Sequence, residues 1–212
     1  MPGRPWDARF FETDPRFWPI APAALRFSAH LDWPAPEEHV AAGVRFVTST
    51  KPRRSRRSST QRGTGYDARI VAGEVPTRAR SWHDFLNALV WATFPASKRA
   101  LHTRQAAAIR ASVPAGAPQL PNARTRELDA LALFDEGGVI VLEGPSGTLP
   151  LGFGHALYEG LVTGGPRATA SALAFAVTAL PNHDAAPTIA DTLLSERLAG
   201  PFLPELLLRR EF

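Results

Sequence analysis

The segment Ser81–Trp91, SWHDFLNALVW, constrains the fold more than any other stretch of the chain. On a helical wheel Trp82, Phe85, Leu86, Leu89 and Val90 cover one broad side, so a helix here is apolar around most of its circumference. Such a helix is largely buried, and the rest of the chain has to cover it. His83, Asn87 and Trp91 fall along the remaining stripe, with Asp84 beside it. A polar stripe that also carries a tryptophan is unlike a solvated face and suits the wall of a cleft. Ser81 and Asp84 have the spacing of a capping box, which gives Asp84 a structural role. In the first turn the helix dipole disfavours an imidazolium, so His83 is expected to be neutral, able to accept a proton or bind a metal. Asn87 has no capping role and costs about half a kcal/mol relative to alanine in a helix interior. It either bonds the backbone of the N-terminal arm or orients a ligand.

The remaining composition narrows the class. A chain of 212 residues suits one domain with a sizeable core. It is divided here into an arm and strand (1–50), a mobile basic loop (51–65) and a helix and hairpin core (66–212). No apolar run approaches the ~20 residues needed to span a bilayer, so no membrane association is expected. The stretch MPGRPWDARFF lacks the apolar core of a secretory signal, and a cytoplasmic place is the default expectation. There is no cysteine, which excludes disulfides, thiolate zinc sites and cysteine nucleophiles. The net charge is +4, but KPRRSRRSSTQR alone holds six positive residues and no acid, so the remainder is net acidic. Arginine outnumbers lysine 22 to 2 amid abundant alanine, proline and glycine, a bias that GC-rich codons explain without phosphate recognition.

Residues 1–36 are rich in proline and aromatics and read as an irregular arm whose rings pack on the body. A short helix is expected at Glu37–Ala42 and a strand over VRFVTS, with Val44, Phe46 and Thr48 on one face. YDARIVAGEVPTR reads as a helical turn followed by a loop. Helices are expected over 82–94, stopped at Phe94-Pro95, and over Ala96–Arg110, before the linker SVPAGAPQLPNAR. DALALF, DEGG and VIVLE then read as an antiparallel hairpin with a tight turn. EGPSGTLPLGFG reads as a loop, SALAFAV as a further strand, and PTIADTLLSERLAG as a helix with Thr188 as N-cap and Gly200 closing it. This order of elements predicts an α+β fold, helices on a small antiparallel sheet.

A second constellation sits in GFGHALYEG. His155 and Glu159 are four apart, so on a helix they share a face, with the spacing of two metal ligands or of a base and its orienting carboxylate. Gly152 and Gly154 allow a close backbone approach just before them. Asp135 and Glu136 are adjacent carboxylates, but turn chemistry accounts for them. Lys98 and His102 form another pair four apart, while His30, His39 and His183 have no partner pattern. None of the phosphate-loop, dinucleotide, zincin or nucleophile-elbow motifs occurs.

SWHDFLNALVWATFPASK, DALALFDEGG and FGHALYE together resemble the recurring blocks of a bacterial family, domain of unknown function 3025, over roughly Tyr66–Leu161. The resemblance implies a bacterial protein and carries no known activity. It places Trp82, His83, Asp84, Asn87, Trp91, Lys98, Asp129, Asp135, Glu136, His155 and Glu159 in the family's polar and aromatic signature. Leu86, His102, Leu128 and Ala132 depart from it, as does the ending FLPELLLRREF.

Three functions are compatible with these features. The first is a hydrolase-like enzyme with His83, His155 and Glu159 as catalytic residues and Asn87, Trp91, Asp84 and Lys98 lining a small-molecule cleft, with a divalent metal as a variant. The second is a nucleic-acid or acidic-partner module using Arg53, Arg54, Arg56 and Arg57. The third is a scaffold in which the polar stripe merely satisfies buried backbone. Cofactor and partner are not identified by the sequence, and the first reading requires the two histidines to meet in space.

Overall fold

The computed structural model describes residues 4–49, 69–111, 125–164, 169–200 and 208–211. The basic loop 51–65, with its four candidate arginines, and the linker after Ala111 lie wholly outside the described residues.

The arm runs through 3-10 turns at Phe10–Glu12 and Pro15–Phe17 and the short helix α1 (Ala21–Leu25). Its aromatic content has the expected use. Trp6 stacks on Trp82 with ring centroids 5.4 Å apart, and Trp33 meets the same ring edge-on at 4.9 Å. Two indoles are held by backbone carbonyls: Trp82 Nε1 donates to Arg4 O at 3.0 Å and Trp6 Nε1 to His30 O at 2.9 Å.

A 3-10 turn at Pro36–Glu38 leads to β1 (Val40–Ala41) and β2 (Val44–Thr48), so the helix expected at 37–42 does not form. Pro36 suits the first position of a turn, and Gly43 at φ 76° reverses the chain so that Val40 pairs with Arg45. The segment expected as a loop after the helical turn is instead β3 (Glu74–Thr77), parallel to β2. It is only four residues long and holds Pro76, which an edge strand tolerates.

The central helix α2 (Trp82–Thr93) is capped by Ser81, whose Oγ accepts from Asp84 N. Leu86, Leu89 and Val90 are buried. Each such side chain contributes about 1.5–3 kcal/mol relative to exposure, so this helix anchors the core. Helix α3 (Pro95–Ala111) follows at once, starting with proline at a position that needs no N–H donor. Its N-terminus is capped from far away in sequence: Asp191 accepts from Ala96 N at 3.1 Å and from Ser97 N at 2.7 Å.

The chain continues as α4 (Arg126–Gly137), β4 (Gly138–Gly144), β5 (Gly147–Gly152), α5 (His155–Thr163), β6 (Thr169–Ala176), α6 (Ala186–Ala199) and β7 (Leu208–Glu211). A hairpin is present, but one element later than expected. DALALF belongs to α4: Thr125 caps the Leu128 N–H, and Ala130, Leu131 and Phe134 form its buried face. Alanine and leucine are strong helix formers, and that outweighs the short alternation. The hairpin turn falls between β4 and β5, in the glycine-rich stretch expected to be a loop. SALAFAV is a strand, parallel to β4, so the sheet β5-β4-β6-β7 is mixed and not purely antiparallel. In α6 Ala185, not Thr188, is the N-cap, and Asn182 Oδ1 accepts from Ala185 N. The fold is α+β, with two small sheets and no described helix long and apolar enough to cross a membrane.

Candidate functional site

Three chain segments meet at one place: the first turn of α2, the last turn of α4 and the first turns of α5. Two glycines make the meeting possible. A Cβ on Gly154 would lie 2.4 Å from Glu136 O and from Gly138 N, and a Cβ on Gly138 would lie 2.4 Å from Phe134 O. The start of α5 therefore presses directly on the end of α4. Gly138 O accepts from both Phe153 N (2.9 Å) and Gly154 N (2.8 Å), which holds the junction in register.

His155, the next residue, is buried, and its Nδ1 donates to Asp135 O at 3.0 Å. Its Nε2 faces His83 Nε2 at 3.0 Å. His83 in turn donates from Nδ1 to Glu159 Oε2 at 2.9 Å. Glu136 Oε2 lies 3.4 Å from His155 Nε2. The cluster opens outward, since the side chains of His83, Glu159 and Glu136 are 32%, 37% and 52% exposed while that of His155 is 4% exposed.

Electrostatics separate the two imidazoles. Burial pushes His155 down to about 3, so it is neutral. The hydrogen bond that His83 donates to Glu159 raises His83 above its ordinary value and outweighs its burial. The helix dipole and the partner on α5 thus act on His83 in opposite directions. Glu159 is lowered by the same bond. Burial raises Glu136.

Beneath the pair, Lys98 is wholly buried and its Nζ donates to Asp135 Oδ1 at 2.5 Å. Burial alone would raise Asp135, but the Lys98 ammonium holds it well below the usual carboxylate range. Lys98 and the Asp135 carbonyl thus support His155 from behind and do not reach the open side of the cluster.

The other residues singled out by sequence are placed as follows. Asp84 accepts from Arg78 N (2.6 Å), Nε (2.9 Å) and Nη2 (2.6 Å), an ion pair in place of the return half of the capping box. Asn87 is buried one turn beyond His83, and its Oδ1 has no hydrogen-bond partner among the described residues. Trp91 is fully buried a further turn along, stacked parallel to His102 with centroids 5.7 Å apart. A groove of about 1040 Å³ between α3 and α6, lined by alanines with Arg99 and Arg104, is separate from all of these. Sequence reasoning set Glu136 aside as turn chemistry. The signal that places it was the Gly137-Gly138 pair, which ends a helix here and does not close a hairpin.

No curated protein and no solved structure matches the chain. The family model described as protein of unknown function (DUF3025) matches residues 45–148, a span that includes His83 and Glu136 and stops before His155 and Glu159. Over that span the chain belongs to this family.

Proposed function

We propose that the protein is an enzyme of the hydrolase type and that His83, His155, Glu136 and Glu159 form its reaction centre. One observation carries this reading: two imidazoles 72 residues apart face each other Nε2 to Nε2 at 3.0 Å, each with its Nδ1 already fixed. Side chains in a core have no need of that arrangement. It leaves the reactive nitrogens of both rings directed at one partly exposed spot, with two carboxylates beside them. Hydrolysis asks for groups that activate water and for positive charge near the developing oxyanion. A divalent cation at the cluster is part of this reading, because it supplies both by lowering the pKa of bound water and polarising the scissile group. Asn87, one turn from His83 and with its Oδ1 lacking a partner among the described residues, would orient a substrate in this reading.

The test is a panel of chromogenic carboxylic esters, phosphate mono- and diesters and anilides, assayed with the wild type and with His83→Ala. Turnover of at least one class is expected, reduced by about 100-fold or more in the variant. Absence of turnover across the panel, or turnover indifferent to His83→Ala, overturns the reading.

A further inference from the structure

We infer that His83 Nε2, His155 Nε2 and Glu136 are the protein ligands of one divalent ion of the zinc class, with Glu159 and the Asp135 carbonyl holding the two imidazoles from behind. The inference deepens the hydrolase reading and rests on it for the use made of the ion.

Hydrogen-bond direction supplies the first argument. A backbone carbonyl only accepts, so His155 Nδ1 carries the proton in its bond to Asp135 O. In the neutral ring His155 Nε2 is then a bare lone pair. The same holds for His83, whose Nδ1 donates to the Glu159 carboxylate. With both rings neutral, two bare lone pairs 3.0 Å apart repel, and an electropositive centre at the rim of the pair removes the conflict. A proton is one such centre and a metal ion is the other.

Geometry and partners favour the metal. Bonds of about 2.0–2.1 Å in a tetrahedral site set neighbouring ligand atoms a little over 3 Å apart. The two nitrogens stand at 3.0 Å, Glu136 Oε2 stands 3.4 Å from His155 Nε2, and one ligand atom from each of the three residues lies within 4.8 Å of the others. A modest opening of the cluster admits the ion. The outer partners are those that metal-bound histidines characteristically have: a carboxylate behind one ring and a backbone carbonyl behind the other, each fixing the tautomer with Nε2 free. A lone proton between the rings engages Glu136 only through its charge, whereas a metal ion takes it as a third ligand.

The ligand chemistry narrows the ion. Two imidazoles and one carboxylate, with no cysteine in the chain, suit zinc, cobalt, nickel or ferrous iron. Calcium and magnesium take oxygen ligands and are not matched by two nitrogens. Three protein ligands leave a coordination position for water, and the exposed side chains of His83 and Glu136 give the entry path. Glu159 is excluded as a ligand, since it is engaged at Nδ1, away from the Nε2 that faces the ion.

The experiment titrates the metal-stripped full chain with Co²⁺ and with Zn²⁺, by calorimetry and by the visible ligand-field absorption of cobalt. One ion per chain is expected, with intense low-coordinate cobalt bands. Glu136→Ala and His83→Ala, both at partly exposed positions, should abolish the bands while circular dichroism stays native. Glu159→Gln should weaken affinity by about 10–100-fold. His183→Gln, away from the cluster, should change nothing. Less than one ion per chain, or affinity unchanged in Glu136→Ala, overturns the inference. Ion binding without hydrolysis retains the metal site and removes the hydrolase reading. Hydrolysis that needs His83 but survives stripping, with no ion bound, retains the hydrolase and removes the metal.

Discussion

His39 and His155 are both buried, at 8% and 3% exposure, and burial pushes them to about 4 and about 3. They nevertheless belong to different kinds of place. His39 sits among the rings of Phe27, Phe46 and Phe85, at centroid distances of 5.0, 5.5 and 5.3 Å. It behaves as one more aromatic of the core. His155 has both ring nitrogens directed at polar atoms 3.0 Å away, one on a carbonyl and one on a second imidazole. A depressed basicity therefore reports only the loss of water. What distinguishes a site is the direction of the lone pairs and the presence of a second reactive group at their meeting point.

Three substitutions bear on this contrast. The largest effect is expected from Lys98→Met, which leaves the Asp135 carboxylate beneath His155 without its ammonium. Breaking a buried ion pair from one side costs about 3–5 kcal/mol. Urea unfolding at neutral pH measures it, and adding Asp135→Asn should recover part of the loss. A cost under about 1 kcal/mol would mean that His155 is supported by packing and not by the charge pair.

The His39 site gives the next effect, and it depends on pH. The unfolded chain protonates this ring near its ordinary value of 6.5, whereas the folded chain resists until about 4. Between those values the unfolded state holds more protons, so stability falls as pH falls through the window. The loss is about 3 kcal/mol in all. Comparing urea midpoints of wild type and His39→Phe at neutral pH and near the lower end of the window isolates it. The phenylalanine variant should lose less stability on acidification, and parallel losses would show that His39 is protonated in the folded state.

The smallest stability effect belongs to Glu159→Gln. Its side chain is 37% exposed, and the amide oxygen can still accept from His83, so the change should stay within about 0.5 kcal/mol. Thermal unfolding checks this. A larger drop would place Glu159 with the structural residues of the core and weaken its assignment to the site.

The helices were legible in sequence by different marks. α2 declares itself by its apolar spacing and its Ser81 cap, α3 by the proline that divides it from α2, and α6 by its closing Gly200, although its N-cap is not the expected Thr188. β3 was hidden by its length of four residues and by Pro76. The shift of the hairpin has a different cause. Alternating Leu and Ala in DALALF fits either period, and only the Thr125 cap and the burial of Leu131 and Phe134 decide for helix. Of the cluster, the two histidines and Glu159 were readable from composition and spacing. That Glu159 serves His83 and not its own helix neighbour was not readable, because it depends on how α2 packs across α5. Glu136 was missed for the same reason as the hairpin, since reading the helix as a strand turned its last carboxylates into a turn.

The pinch between Gly138 and Gly154 has a consequence for the spacing of the cluster. Glu136 and His155 hang from opposite jaws of one backbone clasp, whose two hydrogen bonds share a single carbonyl. The separation of their side chains is therefore set by the docking of α5 on α4, and amide exchange at Phe153 and Gly154 is the measurement that reports on that docking.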